Sequence, residues 1–305
     1  MAMHVFAAFV TPFGTASNNR GENEGNTTTL QKLIWEQAVH TTVSAEAIRF
    51  ALRRRFVEAG EPCNRTYNDD TRVNDWKDHT FERWGEKSKE QVFADDDLLG
   101  FMAAEGAKEE GGKGSAKIRR AVLEVTRAVS LTPWSGDTTF NAASPGATPS
   151  AQKKGASNPV PYQAEIHATR YQYGIAMTPG RLRVPARAAL ALRNLCALGE
   201  VAGNHGRFLY DFSPESAVFR ITHDAAPRIL YAFRPLDAQN VHIPDLVRKV
   251  KAGDIPANEL ILGGAVTSVL SEDDRAALKG AVVLPGVRAA CEEACKRLES
   301  DGAKR

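Results

Sequence analysis

Apolar residues crowd the start of the chain, filling most of the run from His4 to Phe13, with Pro12 and Gly14 closing it. Such a run predicts an early buried strand. The stretch from Ser17 to Asn26 is polar and too rich in Asn and Gly to hold a regular element. Ser44 then opens a helix: its hydroxyl is a natural N-cap, and Glu46 suits the positive end of the dipole. Ile48, Leu52 and Phe56 recur every four residues beside Ala47 and Ala51, which makes one buried stripe. Arg49 and Arg53 share another face, and Gly60 and Pro62 end the helix.

Further along, the pattern is interrupted twice. Between Glu58 and Glu110 aromatic residues (Trp76, Phe81, Trp84, Phe93, Phe101) are scattered through acidic sequence, which predicts an inserted subdomain with a small core. Gly111 to Ser115 is its flexible exit. Residues 121–132 predict a strand or a helix-to-strand passage. Pro133 to Pro161 is dense in Pro, Gly, Ser, Ala and Thr, and predicts a long loop. Tyr171, Tyr173, Ile175 and Met177 alternate, predicting a strand over 165–177, and Pro185 to Leu198 predicts a helix. Residues 208–223 predict one or two strands, and 287–299 a last helix. Without the insertions the order is strand, helix, strand, strand, helix, strand. That is the α+β, ferredoxin-like βαββαβ order. RNA-recognition modules use it, as do many unrelated proteins, so the order names no function.

Charge sharpens the picture. The 305 residues carry 39 basic and 37 acidic side chains, a net +2 that argues against a basic-tail nucleic-acid binder. The average hides segregation. Residues 58–110 hold fifteen acids against seven bases, whereas 153–193 hold seven bases and one acid, Glu165. Arg49, Arg53, Arg54 and Arg55 add to the basic part. Cations interleaved with Trp134, Tyr162, Tyr171 and Tyr173 fit single-stranded nucleic acid; an ordinary solvated arginine-rich surface has the same composition.

Catalytic motifs do not assemble. In Gly111-Gly112-Lys113-Gly114-Ser115 the extra glycine breaks the Gly-Lys-Ser/Thr order of a phosphate loop. Asp95-Asp96-Asp97 is read as a helix cap rather than a metal site, because adjacent carboxylates diverge. Cys291 and Cys295 share a helix face but lack a partner pair for zinc, and Cys63 and Cys196 stand apart. The four thiols suit a reducing cytosol. The first residues lack a basic and apolar leader, and no run reaches the ~18 apolar residues of a membrane span. A cytoplasmic chain without cofactor, metal or membrane partner is expected.

Several segments, taken in order, resemble the Cas-seven family of CRISPR backbone subunits, and within it the DevR-type branch of type I-B-like systems. They are Asn18-Asn19-Arg20-Gly21-Glu22-Asn23-Glu24-Gly25-Asn26, His40 to Arg49, Phe93-Ala94-Asp95-Asp96-Asp97, Glu165 to Tyr173, and Gly203-Asn204-His205-Gly206-Arg207. The resemblance implies an RNA-recognition-like palm (1–58 with 164–305), an inserted helical finger domain with its return strand (59–132), and a thumb loop (133–163). It implies a non-catalytic subunit of a Cascade complex. Such a subunit binds guide RNA along its phosphates, stacks on copies of itself in a filament, meets other Cascade subunits and supports pairing with a target DNA strand. RNA contacts then fall on Arg20, Ser44, Arg49, Arg53, Lys153, Lys154, Arg170, Tyr171, His205 and Arg207, and thumb roles on Trp134 and Phe140. RNA-cleaving relatives use a loop aspartate. This loop offers Glu22 and Glu24 instead, so cleavage is not supported. The alternatives are a metal-dependent ribonuclease and a free nucleic-acid-binding autoregulator.

Overall fold

The first strand explains its own composition. In β1 (His4–Val10), Val5, Ala7 and Phe9 enter one apolar cluster and Phe6, Ala8 and Val10 enter another. Successive side chains of a strand point to opposite faces, so a strand covered on both sides must be apolar throughout. The computed structural model describes residues 2–17, 23–71, 73–85, 88, 90–104, 116–144, 160–202 and 208–302.

Eight more strands join β1 in one sheet: β2 (Lys32–Trp35), β3 (Ala38–Val43), β4 (Leu123–Val125), β5 (Ala128–Ser130), β6 (Tyr171–Met177), β7 (Ser216–Thr222), β8 (Leu260–Gly264) and β9 (Val282–Leu284). Their order is β9-β8-β7-β1-β6-β5-β3-β2, with β4 also paired to β6. All pairings are antiparallel except β8 with β9. Among the described residues the α-helices are α1 (Ala45–Glu58), α2 (Ala94–Leu99), α3 (Arg187–Leu195), α4 (Pro244–Lys251), α5 (Glu272–Ala277) and α6 (Val287–Gly302). Chain order β1, α1, β4/β5, β6, α3, β7 therefore runs through four adjacent strand positions, with β1 and β6 at their centre.

Helices α1, α3 and α6 cover one face through Ile48, Leu52, Phe56, Leu192, Leu195 and Leu298. The other face is covered by the C-terminal part of the chain, including Ile229, Phe233, Ile243 and Leu246. Two glycines allow this close layering. A Cβ on Gly174 of β6 would lie 2.5 Å from Leu230, and one on Gly263 of β8 only 2.4 Å from Ala290 of α6. Burial on both faces, rather than propensity, holds these strands.

The expected insertion departs from its helical expectation. Among its described residues only α2 is an α-helix. The rest is a hairpin of Arg65–Asn68 with Val73–Trp76, a 3-10 turn at Glu82–Trp84, and a hairpin of Phe101–Ala104 with Ala116–Arg119. Residues 59–93 lack an apolar stripe at helical spacing, so a helix there would have no face to bury. The small aromatic core does form: Phe81 stacks on Phe101 at 3.8 Å between centroids, with Trp76 and Trp84 set edge-on around them.

The Pro- and Gly-rich segment is likewise not a loop throughout. Thr138–Ala143 pairs antiparallel with Val160–Glu165, from Thr138 opposite Glu165 to Ala143 opposite Val160. Gln163 and Ala164 continue the ladder in parallel with Thr27 and Thr28. Thr138 to Ala143 alternates exposed and half-buried positions, which a ladder supports and a loop does not require.

Candidate nucleic-acid interface

Helix α1 carries the expected cations, but much of its basic face is already engaged. The Ser44 hydroxyl accepts the Ala47 amide at 3.2 Å and is buried, so it caps its own helix. Arg49 donates through Nη2 to the Leu99 carbonyl at the end of α2. Arg53 lies 3.3 Å from Asp95. Burial, and then the nearby Arg65 guanidinium, hold the pKa of both Arg49 and Arg53 below the ordinary arginine value. Arg54 is exposed and forms no ion pair with any described residue.

Asp95, Asp96 and Asp97 explain why α2 sits there. They lie in its first turn, while Phe93 holds the N-cap position without a side-chain bond, so the capping expectation is replaced by an anchoring one. Asp95 accepts the amides of Asn64 and Arg65. Asp96 accepts from the Asn64 side chain at 3.0 Å, and burial together with Asp95 pushes its carboxyl up to about 7. Asp97 points the other way, accepting the amides of Arg183 and Val184 and pairing with Arg187. The carboxylates diverge, and each accepts from internal donors. Among the described residues, no group of three His, Cys, Asp or Glu side chains is placed to hold a metal ion.

Two expected contacts at the start of β6 require correction. Tyr171 is fully buried and shares a 2.7 Å hydrogen bond with Thr41, so it cannot stack on a base from this position. Its neighbour Tyr173 is equally buried. Both rings face the helices, in the core, because β6 is central and covered on each side. Arg170 is also turned inward: it donates to Glu215 at 2.9 Å and to the Gln239 carbonyl at 2.6 Å, beneath the exposed ring of Phe13. RNA-recognition modules bind bases on an open sheet face. Here the C-terminal cover occupies that face, and the aromatics point away from it.

Trp134 and Phe140 occupy opposite settings. The Trp134 indole donates to the Ile166 carbonyl at 2.9 Å, its amide reaches Val39, and the Lys32 amine sits 4.3 Å from the ring centroid. Lys32 also pairs with Glu165 at 2.6 Å, which closes the base of the 138–165 hairpin. Phe140 is 72% exposed on the outer strand. Arg20, Lys153, Lys154, His205 and Arg207 lie outside the described residues.

Sequence reasoning missed Phe13, which is 57% exposed, and the meeting of α1 with the Arg65–Asn68 strand. A run of one exposed aromatic and a sequence-distant arginine leaves no local pattern to find.

A family profile described as CRISPR-associated negative auto-regulator DevR/Csa2 matches residues 11–207. The chain belongs to the DevR/Csa2 family. A relative from Myxococcus xanthus (strain DK1622), the CRISPR-associated protein Cas7/Cst2/DevR, is 70% identical over 98% of this chain and 99% of its own. Among solved structures, the DevR/Csa2 chain is similar to one from a pre-nicking CRISPR RNA-guided surveillance complex. That match has a TM-score of 0.60 and 12% identity, and covers 97% of this chain and 100% of that one. A second, from a CRISPR RNA-guided surveillance complex, has a TM-score of 0.56 at 12% identity and covers 96% and 99%. At that identity the likeness is one of fold, a mixed α and β architecture shared end to end.

Proposed function

We propose that this DevR/Csa2 protein is a backbone subunit of a CRISPR RNA-guided surveillance complex. It binds guide RNA along the phosphates, repeats along that RNA with further copies and other subunits, and supports pairing with target DNA. The central sheet with α1 and α3 is the palm, residues 59–122 are the fingers, and the 138–165 hairpin is the thumb. The observation that carries this reading is the end-to-end correspondence with surveillance-complex chains, joined to a cation-rich α1 in this one. Its role is structural rather than catalytic: the Asp95–Asp97 triplet is spent on anchoring α2.

In this arrangement Phe140, exposed on the outer strand of the hairpin, is the wedge presented to the guide–target duplex, and Trp134 fixes the hairpin's root. Arg53 is neutralised by Asp95, so it is exposed arginines of α1 such as Arg54 that touch phosphate directly.

The test is co-expression with and without a CRISPR guide, followed by size-exclusion with absorbance at two wavelengths. Large RNA-loaded particles with guide, and small RNA-free protein without it, are expected. A monomer free of RNA in both preparations overturns the reading. Incubation with labelled RNA and Mg²⁺ addresses the nuclease alternative, for which cleavage lost in Glu22→Ala would be decisive. Tight binding to its own promoter without other subunits would favour the autoregulator that the family description names.

A further inference from the structure

The 138–165 hairpin belongs to a second sheet, in the order Thr138–Ala143, Val160–Glu165, Thr27–Thr28, Asn23–Glu24. Phe140, Gln163, Thr27 and Glu24 stand in one row across it. Asn26 adds two ties: its side chain donates to the Pro161 carbonyl at 2.6 Å, and its carbonyl accepts the Gln163 amide at 3.1 Å. Asn23 to Asn26 end the polar stretch that also carries Arg20. Part of that stretch and the strand bearing Phe140 therefore share one ladder of backbone hydrogen bonds. Such a ladder holds a small sheet as one body, so its attitude to the central sheet is set where the two sheets meet.

That junction turns on Glu165, the last residue of the inner hairpin strand. Its Oε2 accepts the Leu30 amide and the Lys32 ammonium, each at 2.6 Å. Lys32 opens β2, which lies at the edge of the central sheet. The Ser17 hydroxyl donates to the Glu165 carbonyl at 3.1 Å. Glu165 thus gathers Ser17 and Leu30, on either side of the polar stretch, to the edge of the central sheet. The pair is shielded, with the Glu165 and Lys32 side chains 11% and 25% exposed. Among the described residues no other ion pair joins the two sheets. An ion pair held this far from water is weakly screened, and losing either partner strands the other.

We propose that Glu165 and Lys32 are positioning residues for target capture: their ion pair fixes the angle at which the hairpin sheet, and Phe140 on it, stands against the central sheet. The inference rests on the reading of the chain as a guide-loaded backbone subunit and adds the device that aims its hairpin. Neither residue touches nucleic acid in this role; each acts through Phe140. The cations of α1 belong to the central sheet's side of the junction, so guide loading does not depend on the clamp.

The experiment measures capture of a labelled DNA strand complementary to the guide by guide-loaded particles of wild type, Glu165→Gln, Lys32→Met, the double variant and Lys32→Arg. Absorbance at two wavelengths gives guide per protein, and thermal melting confirms that each variant is folded. About tenfold weaker capture is expected for Glu165→Gln and for Lys32→Met, with guide loading and salt slope unchanged. The double variant loses no more than either single one, because both remove the same link. Lys32→Arg keeps the pair and captures like wild type. A Lys32 that contacted phosphate would give the opposite pattern: Glu165→Gln would free it and leave capture intact, while Lys32→Met would lower the salt slope by about 1. That pattern overturns the proposal. So do unchanged capture in both single variants, losses that add in the double variant, and guide loading that falls as far as capture. Wild type that loads no guide overturns the backbone-subunit reading itself, and the clamp with it, a result distinct from the others.

Discussion

Arg187 of α3 and Asp97 of α2 form a buried ion pair, 3.3 Å apart, with side chains only 1% and 0% exposed. The guanidinium also donates to the carbonyls of Val92 and Phe93, so the pair fastens the insertion to the central sheet through α3. Removing one partner of a buried pair costs about 3–5 kcal/mol where the other charge is left bare; Arg187 keeps Glu61 at 3.3 Å, which holds the cost to the lower end of that range. Asp97→Ala is therefore expected to lower stability by about that much. It also strands the amides of Arg183 and Val184. Urea denaturation followed by circular dichroism checks this; a loss below about 1 kcal/mol would remove the pair from its anchoring role.

Asp96 works in the opposite direction. Its carboxyl is raised to about 7 from the ordinary 3.8, so it disfavours the folded state increasingly as pH rises from about 4 towards 7. Asp96→Asn is expected to stabilise the chain at pH 8, on the order of 2 kcal/mol, and to lose that advantage near pH 4. Denaturation midpoints of variant and wild type across that range provide the measurement, and parallel profiles would contradict it.

His167 sets the acid limb. It is buried beside His40, shares a 2.7 Å hydrogen bond with Thr41, and is pushed down to about 4. Its folded pKa lies below the ordinary 6.5, so the unfolded chain takes up the proton first. Stability from this site is complete above about pH 6.5 and falls as pH drops towards 4. His167→Gln is expected to flatten that limb, and a profile as steep as wild type would assign the acid sensitivity elsewhere.

Phe140 and Tyr171 separate surface function from core packing. Phe140→Ala should leave stability within about 0.5 kcal/mol while weakening target-DNA capture by guide-loaded particles. Tyr171→Phe removes the hydrogen bond to Thr41 and should cost about 1 kcal/mol. Guide affinity per folded molecule should stay the same. The reversed pattern, measured by denaturation and DNA binding on the same preparations, would return Tyr171 to the interface.

The apolar run 4–10, the Ser44 cap, the Ile48–Leu52–Phe56 stripe and the last helix were all legible from residue order, because each depends on neighbours within one strand or a few turns. So was the family, through short segments in a fixed order. Which face of β6 its tyrosines take was not legible. Alternation places Tyr171 and Tyr173 together, but only the helices on one side and Ile229 to Leu246 on the other decide that both are core. The same holds for the arginines of α1. Sequence placed Arg49 and Arg53 on one surface, and the carboxylates of α2, over forty residues away, determined that Arg53 is neutralised while Arg54 stays open. Periodicity is a local property of the chain; partnership between charges and the covering of a sheet are set by chain segments that meet only in three dimensions.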